Sequence, residues 1–137
     1  MENSKEGVDV FFDNCETGKG WTECSAYCTE NATFHCDVLP MKTLQEYTDW
    51  MKGLITGIAP DGKYELLSRT TGINQVVYCA VFKAHHTSNG GPVPPSEPPK
   101  YVECDYAYII DLDSNSKIKH MRKIWDQGSA FKQWGWV

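Results

Sequence analysis

The spacing of apolar residues predicts helices in the first third of the chain. Over residues 8–15, apolar side chains recur every three or four positions, which predicts an amphipathic helix that stops near Gly18. A shorter stripe over residues 21–28 predicts a second helix. Residues 32–38 then alternate between apolar and polar side chains and include threonine, phenylalanine and valine, which is typical of a strand.

The clearest helix follows this strand. Thr43 and Glu46 have the spacing of a capping box, in which each side chain satisfies a free backbone amide of the other residue. Behind the cap, one face of the predicted helix is apolar and carries Leu44, Tyr47, Met51, Leu54, Ile55 and Ile58. The turn-forming residues 60–62 end the helix.

The second half of the chain has the pattern of a sheet. Strands are predicted over residues 64–71, 75–86, 101–112 and 117–126. Residues 88–99 are rich in glycine and proline and predict a long hairpin loop. Helices followed by a series of long strands indicate an α+β fold, in which the antiparallel strands curl around the helices to bury one face.

Composition narrows the function classes. The chain has 137 residues, 41% hydrophobic and 23% charged, as expected for a single domain over residues 1–137. Its net charge is -5 and its basic residues are scattered, which argues against nucleic acid and against an anionic membrane surface as partners. The apolar runs are too short to cross a bilayer, and no signal-peptide core precedes the first helix, so we expect a cytoplasmic protein.

The six cysteines do not have the spacing of a metal site. Cys24 and Cys28 are close in sequence, but no second close pair completes a zinc site. His35, Cys36 and Asp37 are adjacent, but strand alternation separates Cys36 from the other two. We therefore expect reduced, mostly buried cysteines, no bound metal and no cofactor.

Three features resemble a known family when they are taken in order along the chain. A capped helix follows a short strand, and a later strand ends in His86-Thr87-Ser88 before the glycine- and proline-rich loop. The last hairpin then contains Lys117-Ile118 and, further on, Trp125-Asp126. Over residues 5–126 the chain resembles the SnoaL-like polyketide cyclases of the nuclear transport factor 2-like (ketosteroid isomerase-like) superfamily.

The resemblance implies a cone-shaped, strongly curved, mostly antiparallel sheet wrapped around two or three N-terminal helices, a cystatin-like roll with a deep pocket. It also implies a homodimer formed through the outer face of the sheet, and a small apolar molecule as the ligand. Such proteins include isomerases, cyclases and hydrolases that need no cofactor, and also carriers and scaffolds without chemistry. The fold alone therefore leaves the activity open.

The resemblance also implies catalytic positions. The cyclases carry a general acid/base aspartate near the end of the last strand, where this chain has Asp126. His120 and Arg122 stand where the family pattern has glutamate and tryptophan. Ketosteroid isomerase carries its base near the end of the first strand, a position that falls on Cys36 or Asp37.

Strand alternation groups the same candidates without reference to a family. One face of residues 117–126 carries Ile118, His120, Arg122, Ile124 and Asp126, and the other carries Lys119, Met121, Lys123 and Trp125. If the first face lines the pocket, Asp126 and His120 form a catalytic pair and Arg122 binds an anionic or enol-like oxygen. If it does not, these residues form an exposed ladder. The sequence does not decide which of the two strand faces lines the pocket.

Two further groups complete the candidate site. His86 is the histidine that the family match favours for the pocket, where it is the third predicted catalytic residue and supports Asp126. A hydrogen-bonded histidine at a strand end is the alternative. The predicted ligand-binding set is Arg122, Tyr47, Trp50, Asp37, Tyr106 and Tyr108, and for the aromatic members plain core packing is the alternative. If the two strand tyrosines face outward, Asp105 becomes a candidate base. The aromatic segment 131–136 is expected to dock on the cone or on a dimer partner.

Two functions follow from these observations. The first is a cofactor-independent isomerase, cyclase or hydrolase-like enzyme that moves protons on an apolar carbonyl or polyketide-like compound. The second is a non-catalytic dimeric module that binds a ligand or a partner chain. They differ in whether a titratable group with a perturbed pKa lies inside a closed pocket.

Overall fold

The computed structural model describes residues 2–137, with side chains from Gly7 onward. Within these residues the elements follow in this order: α1 (Glu2–Glu16), α2 (Trp21–Cys24), a single 3-10 turn (Ser25–Tyr27), β1 (Cys28–His35), α3 (Leu44–Gly57), β2 (Lys63–Gly72), β3 (Gln75–His85), β4 (Tyr101–Leu112), β5 (Ile118–Trp125) and α4 (Gln127–Gln133). No helix in this part of the chain is long and apolar enough to span a membrane.

The five strands form one open sheet in the order β1-β5-β4-β3-β2. β1 pairs with β5 in parallel, whereas the other neighbours are antiparallel. Helices α1 and α3 pack on the inner face, where Phe12 stacks on Tyr78 and Tyr47 stacks on Phe34. The predicted α+β class, with a mostly antiparallel sheet around N-terminal helices, is confirmed.

Strict alternation along β4 separates core from solvent. Its buried positions are Val102, Cys104, Tyr106, Tyr108, Ile110 and Leu112. The strand tyrosines therefore face inward, and Asp105, which precedes Tyr106, is exposed. This resolves the open question about the orientation of β4, because the inward tyrosines place Asp105 outside the cone.

The capping box of α3 forms as predicted. The Glu46 backbone amide donates to Thr43 Oγ1 at 3.1 Å, and the Thr43 amide donates to Glu46 Oε1 at 3.1 Å. At the other end, the amides of Thr87 and Ser88 both donate to the Ile58 carbonyl. The start of the proline-rich loop is thus fastened to the end of this helix.

Gly18 ends α1 and allows a close approach to α3. Its φ of +76° lies in the left-handed region, and a Cβ there would stand 2.6 Å from the Ile55 Cβ. Only glycine combines this backbone conformation with this contact. The last residue of α1, Glu16, is held against the core by this arrangement.

The C-terminal segment docks on the cone, as one of the two predicted alternatives stated. Trp134 is 4% exposed and its indole N–H donates to the Ala84 carbonyl at 3.3 Å. The fourth predicted strand ends one residue early, at Trp125, because Asp126 instead caps α4. The short helix α4 thus positions Trp134 over the sheet.

Thr43→Ala should lower the free energy of unfolding by about 1 kcal/mol, because the Glu46 amide loses its acceptor. Urea unfolding of both proteins measures the difference. Thr56→Ala is the matched control, since among the described residues the Thr56 hydroxyl donates only to the Lys52 carbonyl of its own helix, at 2.7 Å. A loss in Thr43→Ala no larger than in the control would contradict the stabilising role of the cap.

Candidate active site

Two charged side chains lie in the interior between the helices and the sheet. Glu16 at the end of α1 is 2% exposed, and Lys123 on β5 is 6% exposed. Charged residues are almost never fully buried unless they have partners, so this pair marks a specialised place in the core.

Local irregularities put both residues there. On α1, Glu16 lies four positions after Phe12, so it shares the buried stripe of that helix. On β5, His120 pairs with Asp111 while Ile118 pairs with Leu112, so β5 has one extra residue, a β-bulge. Because of this bulge, Lys123 faces the interior.

A continuous chain of hydrogen bonds joins the two charges. The Lys123 ammonium donates to the Tyr47 hydroxyl at 2.9 Å, and Tyr108 donates to Glu16 Oε2 at 2.6 Å. The hydroxyls of Tyr47 and Tyr108 are hydrogen-bonded to each other. Since Lys123 can only donate and an ionised Glu16 can only accept, Tyr47 donates to Tyr108. Every donor along the chain then points from the lysine to the glutamate.

Burial disfavours the charged form of each end. It raises the pKa of the Glu16 carboxyl, although the Lys123 charge and the Tyr108 hydrogen bond oppose this. It lowers the pKa of the Lys123 amine, although the Glu16 charge opposes that shift. Burial and the nearby Glu16 charge raise the pKa of Tyr47 and of Tyr108, which keeps both hydroxyls protonated.

Aromatic rings surround the Lys123 nitrogen on several sides. It lies 4.0 Å from the centroid of the Trp125 ring, within the range of a cation–π interaction. Four more ring centroids lie at 5.1 to 5.9 Å and belong to Tyr47, Trp50, Tyr106 and Tyr108. The rings can stabilise a positive charge whose one hydrogen-bond partner among the described residues is Tyr47.

The polar pair opens onto a small apolar cavity of about 30 Å³. Its polar members are Glu16, Lys123 and Tyr106, and its remaining lining is Trp50, Met51, Leu54, Phe82, Val102, Cys104, Trp125, Ala130, Phe131 and Trp134. The Tyr106 hydroxyl lies near Glu16, but it makes no hydrogen bond of ordinary geometry with the described residues. Burial raises the pKa of Tyr106, and its interaction with Glu16 raises it further and opposes the rise that burial causes in the pKa of Glu16, so a ligand would compete with Glu16 for this donor. The volume of the cavity accommodates about two waters.

A groove of about 370 Å³ lies beside the cavity. It runs between α3 and the start of the proline-rich loop, at Gly90, Gly91 and Pro92. Trp50, Leu54 and Phe131 line both spaces. A ligand that displaced these shared side chains would reach from the groove to the polar pair.

The four aromatic residues of the predicted ligand-binding set gather at this site. Tyr47 and Tyr108 lie in the hydrogen-bond chain, whereas Tyr106 and Trp50 line the cavity. Their contact with a ligand remains a prediction. What the sequence did not show is that a buried glutamate and a buried lysine stand among them.

The structure does not bring Asp126, His120 and Arg122 together inside the cone. Asp126 is exposed and its Oδ1 accepts from the Ser129 amide at 2.9 Å. The His120 Nδ1 lies 2.7 Å from the Thr33 hydroxyl, and Arg122 is exposed. The bulge in β5 is the reason, because it turns the opposite face of the strand inward. The catalytic role predicted for Asp126 remains a prediction that mutation can test.

The other two predicted residues lie outside the cavity lining. His86 is 1% exposed and its Nδ1 accepts from the Trp136 indole N–H at 3.2 Å. Asp37 is on the surface, where its carboxylate pairs with His35 Nε2 at 2.7 Å. In the part of the chain that the structure describes, no group of three metal-capable side chains forms around this pair.

Two features of the sequence indicate Glu16 and Lys123, the buried residues that were not among the predicted site residues. Glu16 continues the apolar stripe of α1 at a spacing of four from Phe12. Lys123 stands between Met121 and Trp125 on one strand face, so an apolar residue flanks the charge on each side. A charged residue on an apolar face is the pattern that a functional core residue produces.

Comparison with known proteins identifies the fold. No protein-family model and no curated protein matches the chain by sequence. Among solved structures, AclR of Streptomyces galilaeus, assigned as a hydroxylase, has a TM-score of 0.78 at 12% identity, over 100% of this chain and 87% of its own. A protein of Jannaschia sp. CCS1, assigned as a SnoaL-like polyketide cyclase, has a TM-score of 0.76 at 18% identity. This similarity covers 96% of this chain and 90% of the Jannaschia protein.

A third structure names the fold itself. It is a Catenulispora acidiphila protein with a ketosteroid isomerase-like fold, determined with trimethylamine, and it has a TM-score of 0.72 at 15% identity over 96% of this chain and 94% of its own. The three similarities extend over nearly the whole chain, so they apply to the complete sheet and its helices. The chain therefore has the ketosteroid isomerase-like, or nuclear transport factor 2-like, fold, and the resemblance to SnoaL-like polyketide cyclases is confirmed at the level of the fold.

Proposed function

We propose that this protein binds a small apolar carbonyl compound and catalyses proton transfer on it without a cofactor, as an isomerase, a cyclase or a hydrolase-like enzyme. The observation that carries the proposal is the buried pair of Glu16 and Lys123, joined by two tyrosine hydroxyls at the polar end of an apolar cavity. Structures with the same fold include proteins assigned as polyketide cyclases, which supports this class of reaction.

Glu16 is the proposed acid/base in place of Asp126. Burial raises the pKa of its carboxyl, and a carboxyl whose pKa is raised toward neutrality can both accept and return a proton at physiological pH. It lines the cavity itself, so a carbon acid bound there can reach it. The exposed Asp126 instead caps α4.

Lys123 and Tyr106 are the proposed stabilisers of negative charge on the carbonyl oxygen. Both line the cavity, and the Tyr106 hydroxyl makes no hydrogen bond of ordinary geometry with the described residues. Donors fixed in a water-poor site stabilise an enolate oxygen more strongly than water does, because they need no reorganisation. The apolar body of a ligand larger than the cavity would occupy the groove beside Pro92.

A non-catalytic binding or scaffold module is the second candidate. The cavity of about 30 Å³ is largely filled by the protein's own aromatic side chains, which favours this alternative. In that case the buried pair would serve only to fix the packing of the core. Measuring proton exchange on a bound ligand distinguishes the two candidate functions, because only the enzyme would accelerate it.

Two finer expectations belong to the same proposal. The six cysteines are free thiols, which suits a reducing cytoplasm.

On the outer face of the sheet, Leu67 and Ile124 are 55% and 53% exposed and border one shallow depression with Cys79 and Ala107. We expect this apolar patch to be the homodimer interface.

Glu16→Gln should lower the rate of α-proton exchange of a small ketone by at least about 100-fold, because the variant has no carboxyl to move the proton. Cyclopentanone in D₂O, followed by proton NMR with the protein added, is the measurement. Glu30→Gln is the matched control, since Glu30 is exposed on β1. If wild-type protein gives no exchange above buffer with a panel of small apolar ketones, the binding-module candidate takes its place.

Asp126→Asn, measured in the same assay, decides between the two acid/base assignments. The rate should stay within about twofold of wild type, because the carboxylate lies outside the cavity. A loss of activity in Asp126→Asn together with an unchanged rate in Glu16→Gln would restore the assignment made from the family resemblance.

The stability of wild type relative to Glu16→Gln should fall as the pH rises above about 4.5, the ordinary pKa of this carboxyl. Since the folded-state pKa is raised, the folded protein holds the proton more tightly. The protonation of Glu16 therefore makes its full contribution to the free energy of unfolding below the ordinary pKa. That contribution is lost as the pH rises through the pKa of Glu16 in the folded protein, with a slope of up to about 1.4 kcal/mol per pH unit. Urea unfolding at several pH values measures it, and a difference independent of pH would contradict the burial of a titrating carboxyl.

Ile124→Lys should dissociate the expected homodimer, because a long charged side chain replaces apolar contact area in the interface and loses its hydration there. Light scattering after size-exclusion chromatography at micromolar concentration gives the mass. The matched control is Ile73→Lys, at the 95% exposed residue in the β2–β3 turn. A monomeric wild type, or equal masses for the two variants, would exclude this face as the interface.

A further inference from the structure

The surroundings of the Lys123 amine differ from those of a structural ion pair. An ammonium group has three N–H donors, yet in the described part of the chain its only hydrogen bond is to Tyr47. Two tyrosine hydroxyls separate it from the Glu16 carboxylate, so the charges make no direct ion pair. The rest of its environment is aromatic rings and the cavity.

The hydrogen-bond chain can convert this ammonium to a neutral amine without changing the net charge of the core. If each proton moves one step toward Glu16, the lysine becomes an amine and the glutamate becomes a carboxylic acid. Tyr47 and Tyr108 each lose one proton and gain another. The products are two neutral groups, which an apolar interior favours over two separated charges.

We propose that Lys123 forms an imine with a small aldehyde or ketone whose carbonyl group lies in the cavity and whose apolar body lies in the adjoining groove. This step rests on the proposed function, because it specifies how the same cavity binds its carbonyl compound. A neutral lysine amine in an apolar site is a nucleophile for carbonyl carbon. Lys123 lines the cavity directly, whereas Lys119 on the same strand is exposed.

The step balances without an oxidant, a reductant or a cofactor. The Lys123 nitrogen forms a bond to the carbonyl carbon, and the carbonyl oxygen becomes a hydroxyl group as a proton moves to it from the nitrogen. The carbon–oxygen bond then breaks, and the oxygen leaves as water after taking the proton of the Glu16 carboxylic acid. The products are a protonated imine on Lys123, a Glu16 carboxylate and one water.

The aromatic rings around Lys123 can stabilise the protonated imine as they stabilise the ammonium. Its positive charge lies within the same aromatic surroundings, 4.0 Å from the Trp125 ring centroid in the position of the ammonium. Its adjacent carbon–hydrogen bonds are more acidic than those of the parent carbonyl compound. The Glu16 carboxylate formed in the same step is the base placed to remove that proton.

Reductive trapping tests the proposal on the full-length protein. Wild type is incubated with propanal or 2-butanone and sodium cyanoborohydride at neutral pH, and peptide mass mapping then locates the alkyl groups. Lys123 should be modified at least about tenfold faster than the exposed Lys119 and Lys117, although it is buried. In urea the lysines should react alike, because the cavity is lost. The proposal would be overturned if peptide mass mapping found Lys123 unmodified, or modified no faster than the exposed lysines.

Two variants and a second assay keep the result interpretable. Lys123→Met should abolish the fast labelling, whereas Lys119→Met should retain it. The comparison among lysines within wild type holds even if Lys123→Met does not fold. Ketone α-proton exchange without labelling of Lys123 would reject the imine and leave the acid/base function in place. Fast labelling without exchange would support the imine and reject proton transfer.

Discussion

An ionised carboxyl or an ammonium group that enters an apolar core alone loses its hydration, at a cost of several kilocalories per mole. Glu16 and Lys123 enter the core together, and the hydroxyls of Tyr47 and Tyr108 bridge the distance between them. Each of the four side chains comes from a different element: α1, α3, β4 and β5. Because each group gives its neighbour a partner that water would otherwise supply, the packing of helices against the sheet depends on all four being in place.

This requirement explains two local departures from regular structure. The left-handed Gly18 lets the end of α1 approach α3, and so holds the Glu16 carboxyl inside. The bulge in β5 shifts the alternation of that strand, and so turns Lys123 inward. Both irregularities place a charged group toward the same cavity, which makes them features of the site as well as of the fold.

The regular elements could be predicted because their signals are local. The capping box at Thr43 and the strict alternation of β4 depend on residues near one another in the chain. The inward face of β5 could not be predicted, because a bulge is decided by the strand that it pairs with. The burial of Glu16 depends on Tyr108, which is 92 positions away in sequence. The change from strand to helix at Asp126 had a local signal in its capping of Ser129, but the family pattern favoured a catalytic role at that position.

The site draws on both ends of the described chain, from Glu16 in α1 to Trp134 after α4. During synthesis on a ribosome, α1, α3 and their connections emerge long before β5 and the docking tryptophan. The early chain therefore exposes a carboxyl and apolar helix faces that have no partner, and its polar network closes only when the last strand has paired. A ligand of the proposed kind would then bind only after β5 has paired and Trp134 has docked, so binding would follow the last folding steps of the described residues.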